Sequence, residues 1–229
     1  MLCCEHFIYI CENINKKDYN MKQLIFLCAT MALSLFGSCS SEKEQAVNET
    51  KSPSFDEVLL SRRSIRSYDA TKKITEAEVR ELLKATQEAP SWANQQPTKY
   101  YVAISQEKLE AVQELVGEKN KSRIANAPVL ILSTFEKGKS GFFQGNQTNE
   151  IGDGWGAYDN GLSNCYLILK ARAMGFDSLI MGMRDSEQLR KLFGVPENET
   201  IMAVIALGYR AEEPTYPNRR DLDEIAKFF

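Results

Sequence analysis

Two uninterrupted apolar runs constrain the fold most: Pro128-Val-Leu-Ile-Leu-Ser133 and Thr200-Ile-Met-Ala-Val-Ile-Ala-Leu207. A strand with no polar alternation has no face to turn to water, so each run predicts a strand covered on both sides. Amphipathic helical patterns elsewhere supply the cover. Ser54-Phe-Asp-Glu57 reads as a capping box opening a short helix to about Arg62. Thr75-Glu-Ala-Glu78 opens another, in which Val79, Leu82, Leu83, Thr86 and Ala89 form one face before Pro90 stops it. Lys99–Ile104 reads as a strand, and Leu109, Val112, Leu115 and Val116 mark a helix closed by Gly117. A long apolar helix is predicted over 157–174, ended by Gly175, followed by a short strand over 177–181. Asp185-Ser-Glu-Gln188 reads as a further capping box, with a helix stopping at Gly194.

Two segments fall outside this alternation. Residues 136–156 carry six glycines together with Phe142, Phe143 and Trp155, which predicts a mobile loop or lid. The tail over 211–229 contains Pro214, Pro217 and Arg219-Arg220 and finishes on Phe228-Phe229. Apolar residues at the end of a tail predict that it docks on something, a second subunit included.

The first part of the chain reads differently. Met21-Lys22-Gln23 is a short basic start, and Leu24 to Phe36 is an apolar run of about 13 residues, or ~20 Å as a helix, the size of a signal-peptide core. It ends in Gly37-Ser38-Cys39 and turns abruptly polar. This junction resembles the lipobox of bacterial lipoproteins, with Phe36 where leucine is usual. The resemblance implies cleavage before Cys39, lipidation of that cysteine and attachment to the cell envelope, on the periplasmic side or at the outer membrane. More than one acyl chain on one residue gives a stable anchor, which a single chain does not. An uncleaved anchor or a buried apolar helix is the alternative. Residues 1–20, upstream of Met21, read as a wrongly assigned start, 21–38 as the signal peptide, 39–53 as a flexible tether and 54–229 as one domain.

Composition narrows the chemistry. The chain has 229 residues with a net charge of −3, so no basic field marks a nucleic-acid binder. Its single histidine is His6, upstream of the folded part. A folded part without histidine excludes a Ser-His-Asp hydrolase, a Cys-His protease and a His-ligated zinc enzyme together. Of six cysteines only Cys39 and Cys165 lie in the part retained after processing. No disulfide framework is therefore expected, and Cys165, in an apolar helical stretch, reads as a buried structural thiol. Neither a dinucleotide glycine fingerprint nor a phosphate-binding P-loop is present, and no clustered residues have metal-ligand spacing.

Two short segments carry chemistry. In Arg62-Arg63-Ser64-Ile65-Arg66-Ser67-Tyr68, an extended backbone points Arg62, Ser64 and Arg66 the same way. The result is a fork of donors suited to a phosphate, the alternative being a solvated basic turn. In Ala89-Pro90-Ser91-Trp92-Ala93-Asn94-Gln95-Gln96-Pro97, two prolines bracket a loop of short polar groups and one tryptophan. Alone it also reads as an ordinary polar loop.

Together and in this order the two resemble the FMN-dependent nitroreductase family, from about Ser54 to the C-terminal end. The resemblance implies an α+β nitroreductase-like fold: a mixed, mainly antiparallel central sheet flanked by helices, in a domain-swapped homodimer with FMN at the subunit interface. It assigns Arg62 and Ser64 to the FMN phosphate and ribityl chain. Arg63 falls at a variable position, and Arg66 beside the flavin N1/C2 carbonyl. Ser91, Trp92 and Asn94 match the loop that reaches the flavin from the neighbouring subunit. Asn120 and Arg123 match a pair facing the pyrimidine end. Ile180, Met181 and Gly182 match the strand end whose backbone approaches N5, with Gly182 where one branch has an acidic residue. Arg219 or Arg220 matches the final phosphate-binding cation. Tyr166 stands where many relatives have Asn, and 136–156 matches nothing closely.

The implied activity is transfer of a hydride from NADH or NADPH to a nitroaromatic, quinone or similar acceptor in a ping-pong cycle. Hydride moves through the flavin, so no acid–base side chain is demanded and no catalytic residue is assigned. A periplasmic or outer-membrane position strains the use of nicotinamide donors, which makes a quinol or a protein donor the alternative reductant. A non-catalytic flavin- or ligand-binding surface lipoprotein of the same fold is the alternative function. A dehalogenating or flavin-cleaving branch would require extra lid residues that are not evident.

Overall fold

A computed structural model describes residues 52–229, and the expectations for 1–20, for the signal segment 21–38, for Cys39 and for the tether up to 51 lie outside the described residues. In chain order the elements are α1 (Phe55–Ser61), α2 (Glu76–Thr86), β1 (Thr98–Ala103), α3 (Gln106–Gln113), α4 (Glu118–Ile124), β2 (Val129–Glu136), a hairpin of β3 (Phe142–Phe143) and β4 (Asn146–Gln147), α5 (Gly154–Ala173), β5 (Asp177–Met181), α6 (Ser186–Phe193), β6 (Glu199–Gly208) and α7 (Leu222–Ile225).

The two apolar runs are the central strands of a four-stranded sheet in the order β1-β2-β6-β5, with every neighbouring pair antiparallel. Leu132 lies opposite Val204 and Ile131 opposite Ile205. Successive residues serve opposite faces. Leu130, Leu132, Val204 and Ala206 pack with Val112, Val116, Ile124 and Leu189 of the α3, α4 and α6 region. Val129, Ile131, Ile205 and Leu207 pack with Val79 and Leu82 of α2 and Leu167 and Ala171 of α5. Two cores on one sheet explain why neither strand can alternate.

Local signals set the helix starts. Ser54 and Glu57 exchange hydrogen bonds across the first turn of α1 (2.6 and 3.3 Å), as Thr75 and Glu78 do on α2 (2.7 and 3.2 Å). These bonds hold both glutamates below the usual carboxylate range. At α6 the box is not reciprocal: Asp185 accepts from the Gln188 N–H at 3.0 Å, and the Gln188 amide returns to the Asp185 side chain.

Four expectations are corrected. The helix after β1 ends at Gln113, and Gly117, with φ 78°, opens α4 instead of closing α3. The 136–156 stretch, expected as a mobile loop or lid, contains a short hairpin tied at several points, between the end of β2 and the start of α5. The Gly138 N–H reaches the Asp153 carboxylate at 2.7 Å, and the Trp155 indole N–H reaches Asn149 at 3.0 Å. The long helix starts at Gly154 rather than 157, and within its first turn Gly156 packs so close to the Phe135 ring that a Cβ there would clash with it. Cys165 is exposed, not buried: the sheet-facing side of α5 is taken by Asn160, Asn164, Leu167 and Ala171.

Tyr68 fixes the start of the domain to its last strand. Its ring lies where a Cβ on Gly208 would be, 2.5 Å from its Cδ1. Its hydroxyl is buried with no hydrogen-bond partner among the described residues, and burial pushes its pKa well above the usual tyrosine value. Removing an unpaired buried hydroxyl relieves a desolvation cost of about 1–3 kcal/mol. Tyr68→Phe is therefore expected to raise the urea midpoint, with a gain in stability of about 1 kcal/mol. The folded pKa of this phenol lies above its unfolded value, so the wild type also loses stability as pH rises past about 10. The gap between wild type and variant should widen in denaturation series above that pH.

Candidate functional site

Beyond α1 the chain is extended, with Arg62 at φ −64° and ψ 128°. It runs parallel to β5 through a Ser64–Ser178 bridge, the Ile65 N–H donating to the Ser178 carbonyl at 3.0 Å. Ile65 is buried, while Ser64 and Arg66 on either side are exposed, which is the alternation expected of an extended strip. After β6 the chain returns to the same strip: Tyr68 pairs with Arg210, and the Ala211 N–H donates to Ser67 O at 3.0 Å. The return carries the 214–219 stretch over the arginines.

The result is a pocket of 340 Å³, walled by Arg62, Arg63, Ser64 and Arg66 on one side and by 214–219 with Arg219 on the other. No acidic side chain lines it, and none of the four arginines forms an ion pair among the described residues. Arg63 lies 4.2 Å from the centre of the Tyr216 ring and Arg219 5.9 Å from it, so one aromatic ring orders two cations. The Arg66 guanidinium donates to Ser64 O at 3.1 Å. Guanidinium groups keep their charge at any accessible pH. Four of them held together without a carboxylate form a site for a multiply charged anion, and their fork geometry suits a phosphate monoester.

The anchor of this strip is a buried charge cluster. Asp177, at the start of β5, accepts from Arg210 Nε at 2.9 Å and Nη2 at 2.7 Å and from Arg172 Nη1 at 3.3 Å. The same arginines hold Ser61: Arg210 Nη2 donates to its carbonyl at 3.1 Å and Arg172 Nε to its hydroxyl at 3.0 Å. The residue before Arg62 is thus fixed from two sides.

The remaining assigned positions divide into three groups. Ile180, Met181 and Gly182 lie on β5 and just beyond it, downstream of the Ser64–Ser178 bridge; the Met181 side chain is core, whereas Ile180 and Gly182 are exposed. Among the described residues, chain neighbours apart, nothing stands within 4 Å of where a Gly182 side chain would begin, so the backbone there is approachable. Asn120 and Arg123 meet each other on α4 at 3.4 Å, but neither lines the arginine pocket. Ser91, Trp92 and Asn94 form a tight 3₁₀ loop before β1, and they do not line it either. Arg220 is exposed outside the pocket that Arg219 lines.

Several residues that shape the site escaped the motifs. Arg184 donates to the carbonyls of Gly182 and Ile201 and so fixes the exit of β5. Tyr216 and Asp177 act as described above. None sits in a recognisable local pattern.

Comparison with known proteins identifies the family and the fold. The model of the nitroreductase family matches residues 59–209. An NADH dehydrogenase from Thermus thermophilus is 29% identical over 185 residues, covering 70% of this chain and 88% of that protein. A structure from Exiguobacterium sibiricum solved in complex with FMN superposes with a TM-score of 0.69 at 21% identity, covering 77% of this chain and 98% of the other. The NADPH:FMN oxidoreductase of Vibrio harveyi, solved with NAD+, gives a TM-score of 0.63 at 21% identity, covering 76% of each chain.

Proposed function

Because the chain belongs to the nitroreductase family, we propose that it passes reducing equivalents from a nicotinamide donor to a nitroaromatic, quinone or similar acceptor, the two using one site in turn. It is an FMN-dependent oxidoreductase that draws on NAD(P)H. The observation that carries the reading is the set of four guanidinium groups facing one pocket without a counter-charge.

In this reading Arg62, Ser64 and Arg219 hold the phosphate and ribityl chain, with Arg63 kept in place by Tyr216. Arg66, and Arg123 with Asn120, serve the electron-rich edge of the ring system, where a fixed cation favours accumulating negative charge. Backbone at Ile180, Met181 and Gly182 approaches the reactive edge, and Arg184 keeps that backbone from shifting. Bound FMN supplies the hydride-accepting and hydride-donating chemistry that no side chain here can provide. The protein's part is to bind, to orient and to exclude water.

The chain works as a homodimer in this proposal, with Ser91, Trp92 and Asn94 reaching the flavin of the partner subunit. Unfilled apolar surface supports it. A pocket of 510 Å³ between α1, α2 and α5 is lined by Phe55, Val58, Tyr166 and Leu169. The tail leaves Leu222, Ile225, Phe228 and Phe229 exposed, which is apolar surface of the kind that subunits bury. Lipidation of Cys39 and attachment to the cell envelope complete the proposal, and they rest on the sequence of 21–41 alone.

The test is an absorbance spectrum of the purified protein followed by donor screening. The expected result is a yellow protein that oxidises NADH or NADPH with a quinone or nitro compound. Colourless protein that takes up no FMN on titration would overturn the assignment, and bound flavin without turnover with any donor would favour the non-catalytic alternative. Cys39→Ala should move the protein from the detergent phase to the aqueous phase on partitioning.

A further inference from the structure

Asp159 is a buried carboxyl on α5, 2% exposed, and it forms no ion pair among the described residues. Both of its hydrogen bonds fall on one oxygen. Oδ2 accepts from the backbone N–H of Trp92 at 2.9 Å and from the Ser140 hydroxyl at 2.5 Å. These donors belong to two segments that are far apart in sequence, the 91–96 loop and the start of the glycine-rich hairpin.

The loop needs holding. Ala93, Asn94 and Gln96 have φ values of 43°, 55° and 49°, a left-handed backbone that side-chain-bearing residues seldom adopt three times in four positions. Such strain persists only where the surroundings impose it, and it gathers at functional sites. Ser91 Oγ accepts from the Gln96 N–H at 2.9 Å, which closes the loop on itself, but Asp159 is what ties it to the rest of the domain. A second contact runs alongside: Trp92 lies 4.9 Å from Trp155, whose indole N–H is taken by Asn149 of the hairpin. These are the only two tryptophans of the chain.

We propose that Asp159 is a positioning residue that latches the 91–96 loop to the 138–149 hairpin, so that the hairpin sets how the loop meets the flavin and the acceptor. The functional half of this proposal rests on the reading above, in which the loop reaches FMN of the partner subunit. The mechanical half does not, because the junction exists within one chain.

The test uses full-length protein with Asp159→Ala, Asp159→Asn and Ser140→Ala. Two indoles at this separation give an exciton couplet in the far-ultraviolet circular dichroism, which reports the junction without flavin. Asp159→Ala should abolish the couplet in flavin-free protein. It should weaken FMN binding and raise KM for a quinone acceptor, each about tenfold, with the rate of reduction by NADH changed less. Asp159→Asn should restore couplet and KM, because one amide oxygen can take both donors. Ser140→Ala should fall between, and it stands in if the alanine variant does not fold. A couplet and KM unchanged in Asp159→Ala and Ser140→Ala overturn the proposal, as does a fall in melting temperature with no change in either. If the couplet responds but the wild type binds no FMN, the flavin reading fails, and with it the functional half, while the latch stands.

Discussion

Asp177→Ala is expected to be among the most damaging single changes in the domain, costing about 3–5 kcal/mol. The carboxylate side chain is 2% exposed, and its partners Arg210 and Arg172 are 15% and 26% exposed. Deleting it strands Arg172 and leaves Arg210 with only the exposed Glu213 carboxylate at 2.6 Å, and a buried charge stripped of its buried partner costs more than the pair contributed. Arg210 is held above the usual arginine range chiefly by its hydrogen bond to Asp177, the same coupling seen from the other side. Against a typical domain stability of about 5–15 kcal/mol, the loss is large enough to lower expression. Urea denaturation should show a lower midpoint with an unchanged slope. Because Arg210 also grips the Ser61 carbonyl, flavin affinity should fall in the same variant. A stability within about 1 kcal/mol of wild type would mean that Glu213 suffices for Arg210 and that Arg172 finds another partner.

Arg62→Ala is expected to weaken FMN binding by about 10- to 100-fold, equivalent to about 1.5–3 kcal/mol for one charged hydrogen-bonding group. The stability of the flavin-free protein should not fall, because Arg62 has no ion-pair partner to leave behind among the described residues. Arg62→Lys keeps the charge but loses the two-pronged geometry, so it should recover only part of the affinity. Rising salt should weaken binding in the wild type and less steeply in the alanine variant. Arg219 and Arg220 separate the same way: Arg219→Ala should resemble Arg62→Ala, whereas Arg220→Ala should bind as wild type, since Arg220 lies outside the pocket. Flavin titrations that do not distinguish these variants would move the phosphate elsewhere.

What could be read from residues alone was what depends on near neighbours. The capping boxes at Ser54 and Thr75 involve partners three residues apart, and the two-sided burial of β2 and β6 follows from composition within each run. The arginine strip was recognisable because its donors are consecutive. Features that depend on distant contacts were not. Gly117 has the residue type of a helix stop, but its neighbour Met183 comes from beyond β5. Cys165 is apolar in local context, yet the rotation of α5 that exposes it is set by Asn160 and Asn164 bonding to β2 and β1. Asp177 and Asp159 find their partners 33 and 67 positions away, with no pattern around either to announce it. The hairpin was misread because glycine content signals turns without saying whether side chains such as Ser140 will pin them.

The two walls of the arginine pocket come from residues 62–66 and 214–219, and so from opposite ends of the folded domain. During synthesis the first wall leaves the ribosome long before the second exists. In the reading that seats FMN there, a nascent chain presents half a cradle, and cofactor loading has to wait until residues 214–219 have been made. Fusions or truncations near that end should be judged by their flavin content and not by solubility alone.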